Sequence, residues 1–423
     1  MVRLSEFEGW LQKGLGRAVV YLKANDPKPL RETVLHACTH NLTYDAQCEG
    51  DREVYLLDLL HNCGDDDFFR KGLLQTLTVG PTELESFDLG QAISVARSFA
   101  EQGDSTMKNA MYEAVADAGF EEAGHCYDDL IKLDGLSALL IAADHFPTVS
   151  GSEDWLWQVG HLIYALQDRD GEEAANNAIR DAELESPQLA RMLAVSRKFG
   201  RQVHHEENAS RWPDYATVKR MIAEKPRLAY VRCVGWGKNA SEADIHAAAA
   251  DLLLEKNEDR LLAYLSIFRF RPFPGPIALL LELAENANVR IARRAVAILS
   301  QLTNPEIRNL ALRLLNTRNK QGDGVELLTN NFQQGDFVLI QSCLTEPMET
   351  EEIHHLEMGI RHLVKANRRD EAEQSLLLLY EKGPCSLCRG AIVEELFALN
   401  RLPDWMRAEC RYDSDVETRK LVE

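Results

Sequence analysis

Long apolar runs are missing from this chain of 423 residues. None reaches the roughly 18–20 residues that span a bilayer. The longest, at Ile277–Leu281 and Leu376–Tyr380, cover about one and a half helical turns. The sequence therefore predicts no membrane partner. Met1 to Trp10 carries Glu6 and Glu8 and no apolar signal core, which predicts that the chain is not exported. A paired-cysteine framework is missing too. Nine cysteines, at 38, 48, 63, 126, 233, 343, 385, 388 and 410, are odd in number and fall mostly on apolar helix faces. Such thiols suit a reducing cytoplasm, and a cytoplasmic location is the expectation. Nucleophilic triads and phosphate loops are absent as well. Gly14-x-Gly16 lies in a helix-like stretch with no strand before it, so it is not a dinucleotide fingerprint. No alternation of β-branched residues is long enough for a sheet, and the nearest stretch, Phe337–Ile340, fits a helix equally well.

What is present is a repeated helix stripe. Ile291-Ala292-x-x-Ala295-Val296-x-Ile298-Leu299 is followed, sixteen residues on, by Ile307-Arg308-x-x-Ala311-Leu312-x-Leu314-Leu315. Each has a wide apolar face with alanines where a neighbouring helix must come close. Asparagine turns precede both, at Asn286-Ala287-Asn288 and Asn304-Pro305. Elsewhere helical segments alternate with short stops such as Asn25-Asp26-Pro27, Gly64-Asp65-Asp66-Asp67, Gly80-Pro81, Gly103-Asp104 and Gly383-Pro384. Short helices on short loops make antiparallel helix pairs the natural unit. Hydrophobic content of 45% and charged content of 27% are ordinary globular values, which argues against wholesale disorder. At this length one core is not expected to serve the whole chain. The pattern is weakest around His204-His205, Trp212-Pro213, Pro226 and Gly235-Trp236-Gly237. The expected organisation is an N-terminal helical repeat domain over 1–200, an irregular junction over 201–240 and a helical array over 241–423.

Residues 276–316 resemble HEAT or armadillo-type repeats. Pro276 opens one helix, Val289-Arg290 opens a second after a turn, and Pro305 opens a third. Asp413-Ser-Asp-Val-Glu-Thr-Arg419 is placed to open one more. The resemblance implies an all-α fold, an α-solenoid of stacked antiparallel helix pairs, and a shape that binds rather than catalyses.

Charge is uneven within the total of −20. Residues 1–200 carry 17 Lys and Arg against 34 Asp and Glu, residues 201–320 carry 19 against 13, and residues 321–423 carry 11 against 20. A basic centre between acidic ends predicts a local surface for an anionic partner, while the ends repel nucleic acid in general. Two aromatic-basic segments lie in that centre. Arg227 to Lys238 contains Tyr230, Arg232 and Trp236; Phe268-Arg269-Phe270-Arg271-Pro272-Phe273 follows a helix end. Arginines beside aromatic faces suit phosphates, stacked bases or an acidic peptide. Together with Arg290, Arg293, Arg294 and Arg308 they define a candidate strip.

Three constellations suggest metal chemistry. His355-Leu356-Glu357 followed by Pro384-Cys385-Ser386-Leu387-Cys388 matches the H-x-E…P-C-x-x-C order of zinc deaminases. That chemistry sits on a mixed sheet, however, and the flanks here read as helix, so turns between repeat helices are the preferred reading. His36, Cys38, His40 and Cys48 offer a His pair at i, i+4 but no clear third ligand, and Asp65–Asp67 reads as an acidic helix start. No metal or cofactor is expected. The sequence is read as a non-catalytic scaffold or adaptor that binds a protein partner on a concave face, with Arg227, Arg232, Trp236, Lys238, Arg269, Phe270, Arg271, Phe273, Arg290, Arg293 and Arg294 as contacts. A nucleic-acid-binding subunit using residues 201–320 is the main alternative, and a zinc-dependent deaminase the remote one.

Overall fold

The computed structural model describes residues 2–79, 84–147, 154–195, 197 and 212–423, and among them no strand forms. The Gly80-Pro81 turn, the His204-His205 pair and the first residues of the basic centre, through Arg211, lie outside the described residues. No described helix is long and apolar enough to cross a membrane.

Helices begin where a short polar side chain satisfies the first backbone amides. Asn288 accepts from the Arg290 amide at 3.1 Å, and Asn304 from the Glu306 amide at 2.8 Å with Pro305 at the first helical position. Asp104 accepts from Thr106 and Met107, both at 3.0 Å. Each such cap contributes about 0.5–2 kcal/mol. The chain divides into two compact units: Met1–Asn208 with Cys385–Leu387 and Asp404–Glu423, and Ala209–Pro384 with Cys388–Pro403.

In the first unit the central element is the Ser86–Glu101 helix. It packs on Arg31–Thr39, Glu53–Cys63, Asp66–Val79, Ser105–Ala123 and Tyr127–Asp134, and every residue from Leu89 to Ala96 is buried. The helix-like stretch around Gly14-x-Gly16 is broken into Leu4–Lys13 and Arg17–Ala24. The break receives the C-terminal segment. A Cβ on Gly16 would overlap the Glu409 carbonyl, and the Ser414 amide donates to the Gly14 carbonyl at 3.0 Å. Arg17 pairs with Glu409 at 2.7 Å and Arg419 with Asp58 at 2.7 Å. Gly14-x-Gly16 is thus a close-packing motif. The helix expected near Asp413 is present as Val416–Lys420, capped by Asp415, and residues 404–423 group with the N-terminal unit instead of the array.

The second unit opens with two helices, Tyr215–Glu224 and Pro226–Asn239, where the sequence suggested an irregular junction. Gly235 and Gly237 do not stop the second of them. A Cβ on Gly237 would strike the Ile267 carbonyl, so the glycine lets two helices meet at backbone distance. The helices that follow are Glu242–Leu252, Glu258–Ile267, Ala278–Ala284, Val289–Leu299, Pro305–Leu315, Gln321–Leu328, Asp336–Thr345, Thr350–Ala366, Glu373–Lys382 and Ser386–Ala398. Alternate helices touch in sequence: Pro226–Asn239 on Glu258–Ile267, then Val289–Leu299, Gln321–Leu328 and Thr350–Ala366. Pro305–Leu315, Asp336–Thr345 and Glu373–Lys382 form part of a second row. Ile291, Ala292, Ala295, Val296, Ile298 and Leu299 are all buried, as the stripe predicts.

Candidate functional site

The row of alternate helices in the second unit carries a line of basic and aromatic side chains. Tyr230, on Pro226–Asn239, lies under the Arg294 guanidinium at 4.1 Å. Arg294 reaches it from Val289–Leu299 and donates to the Leu262 carbonyl at 2.8 Å and to Ser266 Oγ at 3.1 Å. Burial above all, then Arg290 and Arg269, depresses the Arg294 pKa, and Tyr230 opposes the shift. Arg269 donates to Tyr230 Oη at 3.2 Å. Phe270 keeps 56% of its surface exposed although Lys238 Nζ stands 4.2 Å from its ring and the Arg269 guanidinium 5.2 Å. Arg232, Arg290 and Arg293 are exposed nearby in the sequence of the same helices.

Other members of the expected strip have structural duties. Trp236 is only 2% exposed, its Nε1 donating to the Pro213 carbonyl at 2.8 Å. Phe273 is buried edge-on against Phe268, ring centres 5.0 Å apart. Neither offers a docking face. Arg271 closes the end of Pro226–Asn239, donating to the Ala240 carbonyl at 2.6 Å and pairing with Glu242. Arg308 holds Asp336 through both terminal nitrogens at 2.8 Å, and Arg227 faces Asp259 at 3.4 Å. The accessible set is Arg227, Arg232, Lys238, Arg269, Phe270, Arg290 and Arg293. Composition names aromatic-basic segments but not which side of each helix faces inward.

Acidic groups follow along the row. Burial raises the Glu326 carboxyl to about 7, with Asp323 adding to the shift and Arg269 and Arg293 opposing it. Asp323 is also raised by burial, and His355, whose Nε2 stands 3.5 Å from its Oδ1, is lowered by burial against the pull of Asp323.

That contact takes His355 out of the deaminase pattern. Glu357 is fully buried, where a Cβ on Gly383 would meet its carboxylate. It is the neighbouring His354 that meets the cysteines, its Nε2 3.4 Å from Cys388 Sγ. Arg361, two turns along the same helix, donates to that sulfur at 3.1 Å. Cys385 precedes Cys388 by one turn, and the ligand atoms of His354, Cys385 and Cys388 lie within 4.8 Å of one another. A doublet of histidines on a helix hides which one faces a partner, since successive side chains diverge by about 100°. His36 and His40 stack with ring centres 4.1 Å apart, but Cys38 is buried and Cys48 exposed, so that group does not converge. Asp65 is engaged by Arg31 at 2.6 Å. No protein family, curated protein or solved structure matches the chain.

Proposed function

We propose that the second unit is a HEAT-like stack that holds a short acidic, apolar-tipped segment of a partner protein, without catalysis. The observation that carries this reading is the Phe270 ring, more than half exposed and bracketed by Lys238 and Arg269. An exposed aromatic between two cations matches a peptide that brings one apolar side chain flanked by carboxylates. Among the described residues no ion pair within 4.0 Å engages Arg269, Arg290 or Arg293, so their charge remains for a ligand. The row of successive helix contacts supports a stack that leaves one side-chain-lined face open. The net charge of −20 disfavours a long polyanion and tolerates a short one.

The test is fluorescence anisotropy of the full chain with a labelled peptide of Asp, Glu, Leu and Phe, against a single-stranded oligonucleotide. Wild type binds the peptide. Arg269→Glu with Arg293→Glu weakens binding at least tenfold at unchanged helix content, and Phe270→Ala weakens it severalfold. Equal peptide binding by the double variant overturns the proposal. So does preference for the oligonucleotide with a log–log salt slope near −0.7 per phosphate contact, which would mark nucleic-acid recognition.

A further inference from the structure

We infer that His354, Cys385 and Cys388 form a zinc site. Three observations converge on it. The His354 Nε2 to Cys388 Sγ separation of 3.4 Å is close to the roughly 3.5 Å between a nitrogen and a sulfur that share a tetrahedral zinc at about 2.0 and 2.3 Å. The ligand atoms of all three residues fit inside 4.8 Å, with both cysteines buried and His354 part-buried. Cys385 directly precedes the Ser386–Ala398 helix and Cys388 lies in its first turn, so their spacing is set by three residues of chain, and His354 meets Cys388 inside the second unit.

The surroundings favour the thiolate form that a metal needs. Cys388 is on the first turn of Ser386–Ala398, at the positive end of the helix dipole, and Arg361 donates to its sulfur at 3.1 Å. Two sulfurs and one imidazole are a soft donor set, which selects zinc over magnesium or calcium. Three protein ligands leave one of the four tetrahedral positions for a water or another group. His355 belongs to a different contact, with Asp323, so this site is not the H-x-E arrangement of the deaminases. On binding, zinc displaces the protons of both thiols and ties Thr350–Ala366 to the start of Ser386–Ala398.

The full chain, purified under reductant and dialysed with zinc, is expected to retain one zinc by elemental analysis. Replacement by Co²⁺ should give tetrahedral d–d bands together with thiolate-to-cobalt charge transfer. Cys388→Ser and His354→Ala should each lower zinc affinity by at least tenfold, while His355→Ala keeps the wild-type stoichiometry. Should the cysteine variant fail to fold, the cobalt spectrum of the wild-type chain decides alone. Substoichiometric zinc, a cobalt spectrum without sulfur charge transfer, or equal metal loss in His355→Ala and His354→Ala overturns the site. A Cys385–Cys388 disulfide that forms in preference to zinc under mild reductant overturns it equally, and would mark a redox pair.

Discussion

The two units spend their positive charge in opposite ways. In the first, where acids outnumber bases two to one through residue 200, several cations are held by clustered carboxylates. Arg97 is shared by Glu53 at 2.6 Å, Asp129 at 3.0 Å and Glu101. Lys108 takes Asp134 at 2.6 Å, and Arg70 takes Asp104. In the second, Arg269, Arg290 and Arg293 are left to solvent while Arg271 and Arg308 fasten backbone and Asp336. Net charge over a segment therefore understates the difference. What matters for binding is the charge not already neutralised by a neighbour.

The sharpest way to break the comparison is through the glycine that brings backbones together in each unit. Gly16→Val drives a side chain into the Glu409 carbonyl, and Gly237→Val drives one into that of Ile267. A backbone oxygen cannot swing aside as a side chain can, so each costs about 3 kcal/mol, the upper end for overpacking. Hydrogen exchange should report first loss of protection in Arg17–Ala24 and Asp404–Cys410 for the former, and in Glu258–Ile267 for the latter. Protection unchanged in those helices would show that the approach is looser than described.

A smaller effect concerns a carboxylate that burial leaves poorly served. Burial raises the Asp128 carboxyl to about 6, with Asp129 and Asp51 adding and Lys132 and His161 opposing, and its Oδ1 has no hydrogen-bond partner among the described residues. A carboxyl whose folded pKa lies above its unfolded value of 3.8 favours folding at low pH. That contribution fades as pH rises through about 6. Asp128→Asn should therefore stabilise the chain by about 1–2 kcal/mol at neutral pH and by nothing below pH 4. Urea unfolding at the two pH values checks this, and an equal effect at both would remove the titration as its cause.

How far all this was legible in the sequence varies with the range of the interaction. The helices were legible because a period of 3.6 is local, and the stripe of Ile291 to Leu299 is buried as its spacing requires. The pairing of residues 404–423 with the first unit was not, because nothing within one turn of Gly14 or Gly16 signals a segment almost 400 residues away. Trp236 and Phe273 look like binding anchors in sequence and prove to be core, since an aromatic is attractive to both. Conversely His354 was passed over for His355, because two adjacent histidines look alike in sequence and nothing local signals that His355 meets Asp323 on another helix.

Glu326 sharpens the comparison where the two kinds of charge meet. It stands against Asp323 of its own helix and against Arg269 and Arg293, and burial raises its carboxyl from 4.5 to about 7. Above that pH the carboxylate forms beside the very arginines offered to a partner, while below it the face is more positive. Folding should lose a contribution of about 1–3 kcal/mol as pH rises from 4.5 through about 7, because the folded chain holds this carboxyl protonated where the unfolded chain ionises it, and partial exposure screens the full effect. Acidic-peptide affinity should fall a few-fold between pH 6 and 8 for the wild type, and Glu326→Gln should flatten that dependence at the higher, low-pH affinity. Anisotropy titrations across this range test both arms. An unchanged slope in Glu326→Gln would mean that Arg269 and Arg293 do not form the contact surface, because any ligand seated on them must sense the charge beside them.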